Sequence, residues 1–291
     1  MIGAGPGRPL PYGFSIMMIA LDSYYTIGKL HWFCEDYVGQ GWQPFPYIIL
    51  ADGCSAAPDS DLGARLLVLS ARRLLTRFAR KAYNQAERTA RHWSLGQRII
   101  RRAARQARDL GVDTAVLDAT LLIAWCDGES IHVHLYGDGC IATRQADGTV
   151  RAIQIEYAGN APFYLSYLLD AERCAFYQEA VGDSLAAQCI HTFDETGTTI
   201  RQIPFDTPIV YSFRLAAFPT VAVATDGLYS LINIETGTRV EVLEIAQRLL
   251  DFPNFEAGFV KHQMRDVLVE YGQQKIFNLD DVGLGVFVRM S

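Results

Sequence analysis

The sequence predicts an α+β layered sandwich, and three observations carry that reading. Short apolar runs bounded by turn-forming pairs recur along the chain. The two longest helical patterns stand next to each other rather than between strands. The resulting order of strands, two helices, more strands, two helices and a last strand lacks the strand–helix alternation of a doubly wound parallel sheet.

After a start rich in glycine and proline, residues 14–21 and 25–27 are rich in β-formers and predict a first hairpin closing before Cys34. Tyr47-Ile48-Ile49-Leu50-Ala51 is an uninterrupted apolar run of strand length, which marks a buried strand. Apolar residues then recur at helical spacing from Leu62 through Phe78, with Asp59, Ser60 or Asp61 available as N-cap. The stretch 92–96 interrupts that pattern, and a second helix is expected to run to about Asp109, ended by Gly111.

The middle of the chain changes period. Residues 118–126, 130–136 and 140–144 predict short strands, with turns at Asp127-Gly128, Asp138-Gly139 and Asp147-Gly148, so an antiparallel meander is expected. From 154 to 219 the pattern weakens to a short helix at 164–169 and a strand or two within 202–213. This stretch reads as a lid or insertion on a single domain spanning 1–291. A strand at 221–225, helices at about 240–250 and 256–271, and a closing strand at 283–288 complete the order.

Bulk composition narrows the function classes. A chain of 291 residues that is 50% hydrophobic can bury a full core in one domain. The six cysteines (34, 54, 126, 140, 174 and 189) form no C-x-x-C pair and no zinc-finger spacing, which fits a reducing cytoplasm. Arg214 and Pro219 break the longest apolar candidate for a membrane span, and the start lacks the basic region of a secretory signal. Net charge is −6, yet thirteen of the 26 Lys and Arg lie within 62–108 against one acid there, Glu87. That basic run is expected to be a solvated helix face whose Arg stems cover the core, and a nucleic-acid partner is not expected.

The chemistry lies in acidic clusters at the ends of apolar runs: Glu35-Asp36, Asp52-Gly53, Asp138-Gly139, Asp226-Gly227 and Asp280-Asp281. Hard divalent cations such as Mg²⁺ and Mn²⁺ take several oxygen ligands, and carboxylates delivered from distant strand tips supply them without histidine or thiolate. Glycine after the acid allows a tight turn and a close carbonyl, so Asp52 and Gly53 can both be ligands. Asp-Gly is also ordinary turn chemistry, and Asp127-Gly128 and Asp147-Gly148 are assigned to plain hairpins. His132 and His134 share one strand face without a third ligand and are expected to be structural. Gly3-x-Gly5-x-Gly7 neither follows a strand nor opens a helix, so it is not a phosphate loop.

Taken in order, Cys34-Glu35-Asp36, Leu50-Ala51-Asp52-Gly53, Tyr136-Gly137-Asp138-Gly139, Ala224-Thr225-Asp226-Gly227-Leu228 and Asp280-Asp281-Val282 resemble the motifs of the type 2C metal-dependent protein phosphatases (the PPM family), in a divergent bacterial form. The resemblance implies a four-layer α/β/β/α sandwich, two antiparallel sheets flanked by helix pairs. It implies that Asp52 bridges two Mn²⁺ or Mg²⁺ ions, that Asp226 and Asp280 complete the first, and that Glu35 and the Gly53 carbonyl complete the second. Asp36 would orient the attacking water, and Asp138 would serve a third, weaker metal. The substrate implied is a phosphoserine or phosphothreonine protein, phosphorylated by a cognate Ser/Thr kinase. Two departures stand out. Animal members carry an arginine four residues before the glutamate, where this chain has His31, and a histidine after the first Asp-Gly, where it has Cys54. His31 is the candidate general acid, its ordinary pKa lying in the useful range. The rival expectation is a phosphatase-like pseudo-enzyme that binds phosphoproteins without turnover.

Overall fold

The computed structural model describes residues 18–79, 83–181 and 188–290. In chain order its elements are β1 (Ile19–Thr26), β2 (Asp36–Gly41), β3 (Tyr47–Asp52), α1 (Ser60–Phe78), α2 (Gln85–Asp109), β4 (Leu121–Cys126), β5 (Ser130–Tyr136), β6 (Gly139–Arg144), β7 (Val150–Tyr157) and α3 (Ala171–Val181). They continue with β8 (Gln188–Asp194), β9 (Gly197–Ile203), β10 (Ile209–Arg214), β11 (Thr220–Ala224), β12 (Leu231–Asn233), α4 (Val242–Leu249), α5 (Phe259–Gln273), β13 (Ile276–Asn278) and β14 (Val282–Arg289). Short 3₁₀ turns link several of them.

Two antiparallel sheets carry the architecture: one of seven strands in the order β1-β14-β11-β6-β7-β8-β9, the other of five in the order β10-β5-β4-β3-β2. Period-two alternation explains how they stack. Within β3, Ile48 and Leu50 point to the core between the sheets, while Ile49 and Ala51 point to the helices. The inter-sheet core joins Ile48, Leu50, Leu122 and Val133 to Ile141, Val221, Val223 and Phe287. Outside it, Leu67, Ala71 and Leu75 of α1 and Ile99, Ile100 and Ala103 of α2 cover the five-stranded sheet. Ile245 and Leu249 of α4 and Val260, Met264 and Tyr271 of α5 cover the other. The four-layer α/β/β/α sandwich that the sequence implied is therefore the observed fold.

Three local expectations change. Residues 14–17 lie outside the described residues, and no break interrupts 19–26: β1 is one strand, paired along its length with β14 from Ile19↔Arg289 to Thr26↔Val282. Its polar centre is tolerated because the buried Asp22 carboxylate accepts the Val260 amide of α5 at 2.8 Å, acting as a cap supplied from another layer. Helix α2 runs unbroken through 92–96. An Asn84/Glu87 capping box fixes its start, and Leu95 and Gly96 sit on its buried face. The stretch 154–219 contributes the end of β7 and the whole of β8, β9 and β10 to the two sheets. What lies outside sheet pairing there, among the described residues, is 158–181 and the short connections 195–196, 204–208 and 215–219. Strand β9 is exposed along nearly its whole length, so no apolar alternation announced it.

The basic run behaves as a surface. Arg91, Arg98, Arg101, Arg105 and Arg108 are exposed on the side of α2 away from the sheet. Among the described residues no helix is long and apolar enough to cross a membrane.

Helix α1 is pressed onto the 3₁₀ turn ahead of β4. A Cβ built on Gly63 would meet the Val116 carbonyl oxygen at 1.5 Å. Helix propensity alone predicts that Gly63→Ala gains about 1 kcal/mol, whereas backbone overpacking costs about 1–3 kcal/mol or more. We expect a net loss in urea unfolding. A gain would show that the helix does not sit where the contact places it.

Candidate metal centre

The acidic residues meet where strand ends of both sheets face each other. In the five-stranded sheet β2 begins with Asp36 and β3 ends with Asp52, and the two are register partners. From the seven-stranded sheet, β11 leads through Thr225 into Asp226, and β14 is preceded by Asp280 and Asp281. Thr225 fastens the sheets together: its hydroxyl donates to Asp36 Oδ2 at 2.8 Å and accepts the Gly283 amide at 2.7 Å. The Asp52 and Asp226 carboxyls lie close enough for each to shift the other's titration. Asp138, in the turn before β6, is buried close enough to feel the charges of Asp226 and Asp280.

A second group, with half-buried His31 and Asp280 at its rim, adjoins the first. The Glu35 carboxylate accepts a hydrogen bond from Ser60 Oγ at the start of α1. The His31 ring lies between three acids, with Nε2 at 3.3 Å from Asp280 Oδ1 and Nδ1 at 3.1 Å from Asp281 Oδ2 and 3.7 Å from Glu35 Oε2. Ligand atoms of His31, Glu35 and Asp281 all lie within 4.8 Å of one another, close enough to share an ion. Gly53 sits where α1 closes on the site. Its amide donates to the Glu35 carbonyl at 3.3 Å, and a Cβ there would meet the Ser60 carbonyl oxygen at 2.6 Å.

Burial and mutual repulsion dominate the electrostatics. Burial first, then the neighbouring carboxylates, push Asp36, Asp52 and Asp138 well above the usual carboxylate range. The same two causes bring Asp226 up to about 6 and raise Asp280. At His31 burial lowers the pKa, but Asp281, Asp280 and Glu35 outweigh it and the net shift is upward. Two buried oxygens, Asp36 Oδ1 and Asp226 Oδ1, have no hydrogen-bond partner among the described residues. Such unsatisfied, crowded, oxygen-only donors are costly on their own and fit hard divalent cations.

Asp36, Asp52, Asp138, Asp226 and Asp280 thus lie near enough to feel one another's charge, and His31, Glu35 and Asp281 are the set at ligand spacing among the described residues. Sequence reading treated Asp281 only as part of a pair. It is 1% exposed, and its two oxygens accept the amides of Gly28 at 2.7 Å and Glu35 at 2.5 Å, so it anchors the loop that presents His31. In the sequence Ser60 reads only as a candidate N-cap and Thr225 only as part of a motif, because an isolated hydroxyl carries no signal of the distant acid it will bond. Residues 158–181 reach the same area: Asp118, whose carbonyl accepts the Cys54 amide, accepts hydrogen bonds from Ser166 at 2.6 Å and Arg173 at 2.8 Å. His132 and His134 stay apart from the acids. His132 pairs with Asp127 at 2.7 Å and Ser212 at 2.8 Å, and His134 faces His92 at 3.2 Å within an aromatic stack.

Comparisons with known proteins bear on the family and the fold. The sequence model of the family described as Protein phosphatase 2C matches residues 31–269. A search of curated proteins finds no match. Among solved structures, the serine/threonine phosphatase Stp1 from Staphylococcus aureus is similar at TM-score 0.57 and 14% identity, over 99% of this chain and 99% of that one. The Mycobacterium tuberculosis serine/threonine phosphatase PstP/Ppp is similar at TM-score 0.51 and 14% identity, over 94% and 99%. A bacterial serine phosphatase is similar at TM-score 0.54 and 14% identity, over 93% and 98%. At these identities the structural likeness concerns the fold.

Crowding makes a sign-definite prediction. Between the ordinary 3.8 and about 6, the folded chain keeps a proton at Asp226 that the unfolded chain has lost. Stability therefore falls as pH rises through that window. In chelator at pH 7.5, Asp226→Asn is expected to melt about 2–6 °C above the parent, on the order of 1–2 kcal/mol. Near pH 5 the difference should shrink. A variant that melts lower than the parent at pH 7.5 would mean the carboxylates do not repel one another.

Proposed function

The chain belongs to the protein phosphatase 2C family, and from that membership we propose that it hydrolyses phosphoserine and phosphothreonine in proteins with Mn²⁺ or Mg²⁺. The observation that carries the proposal is the convergence of Asp36, Asp52, Asp138 and Asp226 with the group around Glu35 and Asp280. Asp52, Asp226 and Asp280 are assigned to one cation, and Asp52, Glu35 and the Gly53 carbonyl to a second. Asp138 is assigned to a third, weaker ion. Bound cations supply two things: a lowered pKa for water and neutralisation of charge on the phosphate.

The chain's own residues do the rest. Asp36 is held through Oδ2 by Thr225 while Oδ1 is left unpaired, so it can accept a hydrogen bond from the attacking water and orient it. His31 projects from the loop fixed by Asp281 and is the side chain assigned to protonate the departing serine or threonine oxygen. The proposed substrate is a phosphorylated protein supplied by a Ser/Thr kinase. All six cysteines are free thiols, which supports a cytoplasmic setting.

Purified protein with Mn²⁺ is expected to hydrolyse p-nitrophenyl phosphate and a phosphothreonine peptide, and to lose both activities in chelator. Asp52→Asn removes a ligand from a centre that contributes several kcal/mol, so kcat should fall on the order of 10³-fold. Full activity in chelator would refute the metal-dependent reading. Cys54 and His31, standing where animal relatives carry histidine and arginine, favour a second reading as a phosphoprotein-binding pseudo-enzyme. Calorimetry that detects no Mn²⁺ or Mg²⁺ binding would move the assignment there.

A further inference from the structure

Among the described residues eleven large apolar side chains are exposed, and four of them fall within the seven positions 27–33. Ile27 is 43% exposed, Leu30 69%, Trp32 98% and Phe33 55%. Apolar side chains scattered singly over a surface need no explanation, but a cluster does. The cluster occupies the loop between β1 and β2, which also carries His31 and ends at Glu35.

The loop is pinned. Lys29 and Leu30 donate their amides to the carbonyls of Asn278 at 3.0 Å and Leu279 at 3.1 Å. Asn278 Nδ2 donates to the Ile27 carbonyl at 3.1 Å, and Asp281 holds the amides of Gly28 and Glu35. A loose loop could fold its apolar side chains down onto the body. Here the backbone is fixed on both sides of Trp32, at 27–30 and at Glu35, and Trp32 stands exposed between them. Rigid aromatic side chains presented in this way make contact area at low entropic cost.

Position decides what the ridge would meet. Trp32 and Phe33 lie between His31 and Glu35, and one residue step is about 3.8 Å. A substrate strand advances roughly 3.3–3.6 Å per residue, so side chains one or two positions from its phosphorylated residue come within reach. An anionic membrane is a poor alternative. The loop's one lysine, Lys29, has its ammonium 5.1 Å from the centre of the Phe277 ring, its His31 faces three acids, and the neighbouring surface is the acid cluster.

Resting on the phosphatase reading above, we propose that Leu30, Trp32 and Phe33 form a docking ridge for a large apolar side chain one or two residues from the phosphoserine or phosphothreonine of the protein substrate. The ridge would make the enzyme selective for phosphosites with apolar neighbours, a preference absent from the carboxylate centre itself.

Hydrolysis of p-nitrophenyl phosphate with Mn²⁺ first establishes turnover independently of the ridge. Paired phosphothreonine peptides, identical except for leucine or phenylalanine against serine at the flanking positions, then read the preference. We expect kcat/KM to favour the apolar-flanked peptide about tenfold or more, mainly through KM, and Trp32→Ala with Phe33→Ala to bring the ratio towards one. Binding gives a second readout: in Asp52→Asn protein, the apolar-flanked peptide should shift tryptophan emission to the blue, and Trp32→Phe should remove the shift. A ratio near one in active parent protein, or a ratio that survives the double substitution, overturns the proposal. So does a Trp32-dependent dimer or Trp32-dependent binding to phosphatidylserine vesicles without peptide preference, since either assigns the ridge to another occupant. Absence of p-nitrophenyl phosphate hydrolysis counts instead against the phosphatase reading, and the fluorescence titration still decides the ridge.

Discussion

The structure is organised around a repulsion. Buried Asp36 and Asp138 and half-buried Asp52 and Asp226 are brought together by strands that are stable for other reasons, and each raises the cost of ionising the next. What forces them together is the stacking of two sheets: Ile48 and Leu50 bury one face of β3 against Val221, Val223 and Phe287, and the strand tips have no freedom to part. Hydrophobic burial at roughly 25 cal/mol per Å² over three interlayer cores sustains a local electrostatic penalty that no isolated loop could tolerate. Unpaired oxygens on Asp36 and Asp226 show the penalty is not relieved within the protein itself. A divalent cation would relieve it, and the same stored cost would then appear as affinity.

Around this centre the supporting hydrogen bonds divide the labour. Thr225 clamps the interior, tying Asp36 of one sheet to Gly283 of the other. Asp281 fixes the rim, holding both ends of the loop that carries His31. The two acids at 280 and 281 are therefore unlike in role despite being neighbours: one faces the site, the other turns into the fold and disappears from solvent. Because the same loop displays Trp32, the anchoring that orients His31 also fixes the apolar ridge beside it.

Much of this was legible in the sequence because the decisive signals were local. The continuous run 47–51 and the Val221-Ala222-Val223-Ala224 run announced strands buried on both faces, and the order of acid clusters pointed to one oxygen-lined site. Turn pairs such as Asp127-Gly128 located the meander within a residue or two. What escaped had no local signal. Asp22 interrupts the apolar pattern of β1 in the sequence because its compensating partner, the Val260 amide, is 238 residues away. In α2 the polar, aromatic and glycine-containing stretch 92–96 reads as an interruption until the capping box and buried face are seen together. The solvent-exposed β9 offered no alternation, and Thr225, Ser60 and Asp281 became visible only when distant segments met.

The central claim is that the crowded carboxylates form a cation site. Anomalous diffraction from crystals grown with Mn²⁺ tests it most directly. The account predicts two peaks about 3.5–4 Å apart, both bonded to the Asp52 carboxylate, one also to Asp226 and Asp280 and the other to Glu35. Crystals that hold no anomalous density within bonding distance of Asp52 at saturating Mn²⁺ would contradict it.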